Sequence, residues 1–221
     1  MRVIAGIYRS RRLRSLPGRA TRPTSDRLRE TLFNVVAGSI EGSVWLDLYA
    51  GTAGVGIEAL SRGARMVYFV ESSQKAAAVI RANLRDLGVV SGYELLERDA
   101  LIALRELEAD DIACDFCFLD PPYGDQKAYA DALGFLSQSR LLHEKGVVIA
   151  EHDKHFDPGD AFGTLGRYRV LKQGDAVLSF YRKVPTADSR GYSFTLKVNH
   201  EGHAGTRRLA QTPLRPLRLV L

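Results

Sequence analysis

Residues 45–60, Trp45-Leu46-Asp47-Leu48-Tyr49-Ala50-Gly51-Thr52-Ala53-Gly54-Val55-Gly56-Ile57-Glu58-Ala59-Leu60, read as a buried strand, a glycine turn and the start of a helix. Glycines at such a turn let the backbone approach a ligand closely, and the first N–H groups of the helix have no partner within it. A nucleotide-like cofactor is implied. The next apolar run, Met66-Val67-Tyr68-Phe69-Val70, ends in Glu71, where an acid suits a ribose diol. Two features set this loop apart from a dinucleotide site. The glycines fall at 51, 54 and 56, a Gly-x-x-Gly-x-Gly spacing, and Asp47 stands in the strand itself. A carboxylate there repels a pyrophosphate and attracts a cationic amino-acid end, such as that of S-adenosylmethionine. A third run, Tyr93 to Arg98, leads to Asp99-Ala100, where a carboxylate could accept from an adenine amine. An NAD-dependent oxidoreductase is the competing reading at this point.

The apolar run Cys114 to Leu119 closes on Asp120-Pro121-Pro122-Tyr123. An exocyclic base amine is a poor nucleophile because its lone pair is delocalised into the ring. Acceptors on Asp120 and the Pro121 carbonyl can draw it towards a tetrahedral nitrogen. The two prolines stiffen the turn, and Tyr123 can stack on a base rotated out of its helix. Asp and Pro are also ordinary turn residues. What weighs against an ordinary turn is the series of acids at the three preceding strand ends.

The alternation of apolar runs with amphipathic stretches is the pattern of a parallel α/β sheet. Leu28, Leu32, Val35 and Val36 predict a helix over 26–37, capped by Thr24 or Ser25. A second helix is predicted over 72–87, capped by Ser72 or Ser73 and stopped by Gly88. Further strands are expected at 146–151, 168–172 and 177–182, the last two joined as a hairpin around Gly174-Asp175. Cys114 and Cys117 read as small core residues, because zinc would need two more ligands. His200-Glu201-Gly202-His203 is one residue too short for a His-Glu-x-x-His site and reads as a loop. No apolar run has the length of a membrane span, no secretory signal opens the chain, and a cytoplasmic protein is expected.

The net charge of +5 is unevenly placed. Residues 1–30 hold nine Arg and no Lys against Asp26 and Glu30, and residues 184–221 hold six basic residues against Asp188 and Glu201. A mildly acidic body therefore carries two basic ends, the distribution of a protein that tethers a phosphate backbone. Arginine favours planar, bidentate phosphate contacts. Three divisions are expected: a basic extension over 1–23, one α/β domain over 24–183, and a basic tail over 184–221 that is a candidate for disorder.

Taken together, the motifs resemble the RsmD family of class I S-adenosylmethionine-dependent methyltransferases. The residues that carry the resemblance are Gly6-Ile7-Tyr8 with Arg9-Ser10-Arg11-Arg12-Leu13, Arg22-Pro23-Thr24-Ser25-Asp26-Arg27 with Arg29-Glu30 and Phe33-Asn34, Asp47 to Thr52, Glu58-Ala59-Leu60-Ser61-Arg62-Gly63-Ala64, and Asp120-Pro121-Pro122-Tyr123. The resemblance implies a Rossmann-like sheet of seven mostly parallel strands with the last inserted antiparallel, helices on both faces, and a small basic β extension beside it. It implies methylation of a guanine exocyclic N(2) amine in 16S ribosomal RNA, free or in the small ribosomal subunit; a monomer is expected. On the same ground Asp47, Gly51, Gly56, Glu71, Asp99 and Ala100 hold the cofactor, and Asp120, Pro121, Pro122 and Tyr123 handle the amine. Arg9, Arg11 and Arg12 contact RNA, with Arg22, Thr24 and Arg27 at the join of arm and site. One departure is the order Ala53-Gly54, the reverse of the family's usual Gly-Ala, which carries a steric penalty if residue 53 takes positive φ. The fourth motif residue is Tyr rather than Phe, and it still stacks. A DNA adenine-amine methyltransferase and a non-catalytic RNA-binding module remain as alternatives.

Overall fold

The computed structural model describes residues 1–16, 24–122 and 124–184. Strand β1 (Val44–Leu48) is buried at every position, as a central parallel strand must be. The chain continues through α2 (Gly54–Ser61), β2 (Met66–Val70), α3 (Gln74–Leu87), β3 (Tyr93–Leu96), α4 (Ala100–Ala109), β4 (Cys114–Leu119), α5 (Gln126–Gln138), β5 (Leu142–Asp153), β6 (Ala161–Phe162), β7 (Leu165–Gln173) and β8 (Ala176–Lys183). Helix α1 (Asp26–Val36) precedes them all. The sheet order is β3-β2-β1-β4-β5-β8-β7-β6. Strands β1 to β5 are parallel, and β8 is inserted antiparallel between β5 and β7.

The sheet thus has eight strands, not the seven expected. The extra one is the two-residue β6, which pairs Phe162 with Leu165 across the Gly163-Thr164 turn. Its ring rests edge-on against Tyr181, with centroids 6.0 Å apart. So short a strand carries no alternation that a sequence could reveal. The helices fall as predicted: Ser25 caps α1 by accepting from Leu28 N–H at 3.1 Å, and Ser73 caps α3. Gly88 ends α3 in the left-handed conformation at φ 74°.

Side-chain alternation along the strands divides the core in two. Trp45, Phe69, Phe118, Ile149 and Phe180 pack with α1, α2 and α3, whereas Leu46, Leu48, Val70, Leu119 and Ala150 pack with α4 and α5. Cys114 and Cys117 are buried core residues with free thiols, and burial pushes the Cys114 thiol up to about 12.

The described residues of the N-terminal extension, 1–16, form no β element beside the sheet. Pairing among these residues is limited to one antiparallel bridge between Arg2 and Arg12, and they lie across α1, α2 and α3 with Val3 and Leu13 in their core. Helix side chains capture this backbone before strand ladders can form. Glu58, wholly buried, accepts from Ile4 N–H at 2.8 Å, Ala5 N–H at 3.0 Å and Arg62 Nε at 2.8 Å. Ser61 Oγ accepts from Tyr8 N–H at 3.0 Å, and Asn83 Oδ1 from Arg14 N–H at 2.7 Å. Gly6 takes φ 80°, and a Cβ on it would stand 1.7 Å from the Ser61 carbonyl oxygen. Glu58→Ala strips acceptors from two arm amides and a mostly buried guanidinium, an expected cost of about 3–4 kcal/mol. A thermal melt should show a midpoint roughly 10 °C lower, and limited proteolysis should then cut first within residues 1–16.

Candidate active site

The carboxyl ends of the parallel strands gather the acids picked out in the sequence. Asp47 is 2 % exposed, and its Oδ2 accepts from Gly56 N–H at 2.8 Å. This bond pins the first turn of α2 to β1. Gly56 is obligatory for room rather than for backbone angle: a Cβ there would lie 2.3 Å from Phe69 Cε1 and 2.9 Å from Asp47 Oδ2. Glu71 accepts from Gly51 N–H at 2.8 Å and Ser73 N–H at 2.7 Å, so it braces the glycine turn from beneath. Asp99 caps α4 by accepting from Leu101 N–H at 2.9 Å, with Ala100 buried behind it. Each acid therefore shapes the backbone of the site, and the structure brings all three to one edge of the sheet.

The turn is strained. Tyr49, Gly51 and Ala53 all have positive φ, of 68°, 56° and 65°. For buried Ala53 the left-handed conformation costs about 1–2 kcal/mol that glycine avoids. The reversed Ala53-Gly54 order nonetheless fits its surroundings. A Cβ on residue 54 would lie 2.8 Å from Met1 Sδ, and Arg29 Nη1 donates to the Gly54 carbonyl at 3.0 Å. Arg29 is among the residues that carry the resemblance but was not among the expected site residues. Fully buried, it also donates through Nη2 to the Arg2 carbonyl at 2.6 Å and to Asp26 Oδ1 at 2.7 Å. The available signal was an arginine on the apolar face of α1, three residues after an acid.

Burial pushes the Asp47 carboxyl up to about 7; the Gly56 bond opposes this and the charge of Glu71 adds to it. A carboxyl whose folded value is raised stabilises the fold fully below its unfolded value, and loses that contribution as pH rises through the folded one. Folding stability should therefore fall between about pH 4 and pH 7 by up to roughly 4 kcal/mol from this group. Asp47→Asn keeps an acceptor for Gly56 N–H and removes the titration. Urea denaturation across that range should show a flatter profile for the variant.

Asp120 follows the last residue of β4. The β4–β5 register pairs Leu119 with Ala150, which sets Asp120 beside Glu151. Burial holds the Asp120 carboxyl well above the usual range, reinforced by the charges of Glu151 and then Asp47. Glu151 was not among the expected site residues, although it is one more acid at the end of an apolar run. Its Oε2 accepts from Thr24 Oγ at 2.6 Å, and its backbone carbonyl accepts from the Tyr129 hydroxyl at 2.7 Å. Thr24 is thus brought to the site. Pro121 is buried and Pro122 exposed, with the Pro122 carbonyl accepting from Asp125 N–H at 3.0 Å. Gly124 at φ 86° turns the chain into α5. Tyr123 and Arg22 lie outside the described residues, as do His200 to His203 and the tail from 185 onward.

A cavity of about 130 Å³ opens between the β1 turn and the starts of α4 and α5, lined by Tyr49, Asp99, Leu101 and Asp125. A larger one, about 350 Å³, lies between α1 and the opposite edge of the sheet, beside Asp115, Lys145 and Tyr168. Asp99 lines the smaller one, and Asp47, Glu71 and Asp120 line neither. Arg9, Arg11, Arg12 and Arg27 are exposed. The structure does not bring the first three to Asp120: the arm's tip bonds Ser61, at the far end of α2 from the glycine turn.

The family model described as "Conserved hypothetical protein 95" matches residues 1–182. The chain belongs to this family. A relative from Bacillus subtilis (strain 168), "Putative rRNA methyltransferase YlbH", is 36% identical over 183 residues, covering 83% of this chain and 99% of the relative. "Ribosomal RNA small subunit methyltransferase D" of Haemophilus influenzae is 35% identical over 155 residues, covering 70% and 79% respectively. A solved structure from Haemophilus influenzae, described as a "putative methylase", superposes with a TM-score of 0.67 at 28% identity, over 83% of this chain and 98% of that one. Family, class I methyltransferase fold and glycine turn agree, and the strand-end acids occupy the edge of the sheet where such folds bind their ligands.

Proposed function

We propose that this protein transfers a methyl group from S-adenosylmethionine to the exocyclic N(2) amine of a guanine in small-subunit ribosomal RNA. The observation that carries the reading is the placement of Asp120-Pro121-Pro122 at the end of β4, within the same cluster of carboxylates as Asp47 and beside the glycine turn. The likeness to relatives named for ribosomal RNA methylation supports it.

The donor set fits this cofactor. On this reading Glu71 accepts from the ribose diol, Asp99 and Ala100 hold the adenine amine, and the buried Asp47 offers negative charge to a cation. Gly51 and Gly56 keep side chains out of the turn. The cofactor supplies an electrophilic methyl group on a sulfonium. The chain supplies the rest: Asp120 and the Pro121 carbonyl orient the amine and accept its hydrogens, and Tyr123 stacks on the base. Positioning of this kind gives the entropic advantage of an intramolecular reaction. Arg9, Arg11, Arg12, Arg22 and Arg27 hold the RNA backbone, which makes affinity fall steeply with salt.

We assign catalysis to residues 24–183, acting as a monomer in the cytoplasm. Among the described residues no helix is long and apolar enough to cross a membrane. The reading is tested by offering labelled cofactor with small ribosomal subunits, free ribosomal RNA and unmethylated DNA in parallel. Label in RNA and not in DNA is expected. Label in DNA adenine contradicts the reading, as does cofactor binding without transfer to any substrate.

A further inference from the structure

We propose that Glu151, set beside Asp120 on one face of the sheet and anchored by the Thr24 hydroxyl, is a positioning residue that makes Asp120 the proton acceptor for the substrate amine. The inference rests on the proposed function and deepens it at the same site.

The geometry comes from the register. Leu119 pairs with Ala150, and both side chains point towards α4 and α5. The next residue on each chain faces the other way, so Asp120 and Glu151 stand side by side towards α1, on the face that Asp47 shares with Phe69 and Phe118. Two carboxylates side by side and only partly exposed resist being charged together. The groups around them decide which holds the proton. Thr24 Oγ donates to Glu151 Oε2 at 2.6 Å and stabilises the charged form of Glu151. The Tyr129 hydroxyl, from α5, is spent on the Glu151 backbone carbonyl and gives Asp120 no competing donor. Asp47, from β1, adds negative charge and has Gly56 N–H for itself. Tyr49 leaves the β1 turn with its own phenol pushed up by burial and neighbouring acids, so it stays neutral. Asp120 is the member left with high proton affinity.

That property matters to the reaction. When the carbon–sulfur bond breaks and the N–C bond forms, sulfur keeps the electron pair and the nitrogen carries one proton too many. An ordinary carboxylate is a weak base for it. A carboxylate beside Glu151 is a better one, because the proton it accepts relieves the repulsion between them. Thr24 lies just before α1, so the same hydroxyl ties the start of that helix to the chemistry.

The test compares wild type with Glu151→Gln and Glu151→Asp. The Asp120 carboxyl is followed by carbon NMR of carboxylate-labelled protein without cofactor, its signal identified by its loss in Asp120→Asn. Single-turnover methyl transfer is measured against pH at saturating S-adenosylmethionine. Glu151→Gln should move the Asp120 titration and the acid limb of the rate profile together to lower pH, by about one unit or more. Its plateau rate should fall roughly five- to tenfold, since a weaker base accepts the proton. Glu151→Asp keeps the charge and should return both midpoints most of the way to wild type. An unmoved Asp120 titration in Glu151→Gln overturns the inference, and so does a shifted titration with an unchanged rate profile. Absence of methyl transfer by the wild type contradicts the proposed function instead, which the cofactor-free titration tells apart.

Discussion

Asp120→Ala will bind S-adenosylmethionine within about threefold of wild type and lose 10²- to 10⁴-fold in single-turnover methyl transfer, the range typical of removing a positioned acid–base or polarising group. The loss comes from the amine, not from the cofactor or the fold. Asp120 follows β4, whereas the residues proposed to hold the cofactor sit on β1, on the glycine turn and the start of α2, and after β2 and β3. Removing a carboxylate that crowds Glu151 and Asp47 should leave the thermal midpoint unchanged or raise it. Unfolding then cannot account for lost turnover. Asp120→Asn separates the two roles of the side chain, because an amide oxygen still polarises the amine but takes no proton. It should retain more activity than Asp120→Ala while losing the acid limb of the rate profile. Calorimetric titration with the cofactor and rapid-quench measurement of transfer check both variants.

Gly56→Ala will cost about 2–4 kcal/mol of folding stability and weaken cofactor binding with it. In an ordinary helix interior alanine stabilises by about 1 kcal/mol over glycine. Here the added Cβ would lie 2.3 Å from Phe69 Cε1 and 2.9 Å from both Val67 Cγ1 and Asp47 Oδ2, all on buried side chains with no room to retreat. Overpacking of that kind typically costs 1–3 kcal/mol, and more where neighbours are rigid. The first turn of α2 must also shift off Asp47, whose bond to Gly56 N–H fixes the turn. Denaturant melts measure the stability loss, and cofactor titration should show weaker binding at temperatures where the variant remains folded. Gly54→Ala is a useful contrast, because its Cβ would meet the flexible end of Met1.

Much of the architecture was legible in the sequence because the signals are local. A buried strand running into glycines, the caps Ser25 and Ser73, the stop at Gly88 and the Gly174-Asp175 hairpin each depend on a few neighbouring residues. The acids at strand ends could be located in the same way. Their hydrogen bonds could not, because Glu71 reaches Gly51 across 20 residues of chain and Thr24 reaches Glu151 across 127. The arm's place across α1 to α3 was hidden for the same reason. Its alternating residues resemble a strand, yet Glu58 and Ser61 take its backbone N–H groups before a sheet edge can. The buried role of Arg29 and the place of Glu151 were missed because a charged residue on a helix or at a strand end is ordinarily solvated. Only the assembled fold shows one buried against Gly54 and the other beside Asp120.

The most direct test of the central claim is the identity of the methylated nucleoside. Small ribosomal subunits and free 16S ribosomal RNA from cells lacking this protein would be incubated with wild type or Asp120→Ala and labelled S-adenosylmethionine, then digested to nucleosides and resolved by mass spectrometry. The account predicts label in N(2)-methylguanosine with wild type and little or none with Asp120→Ala. Label in any other nucleoside, or equal label from both proteins, would contradict it.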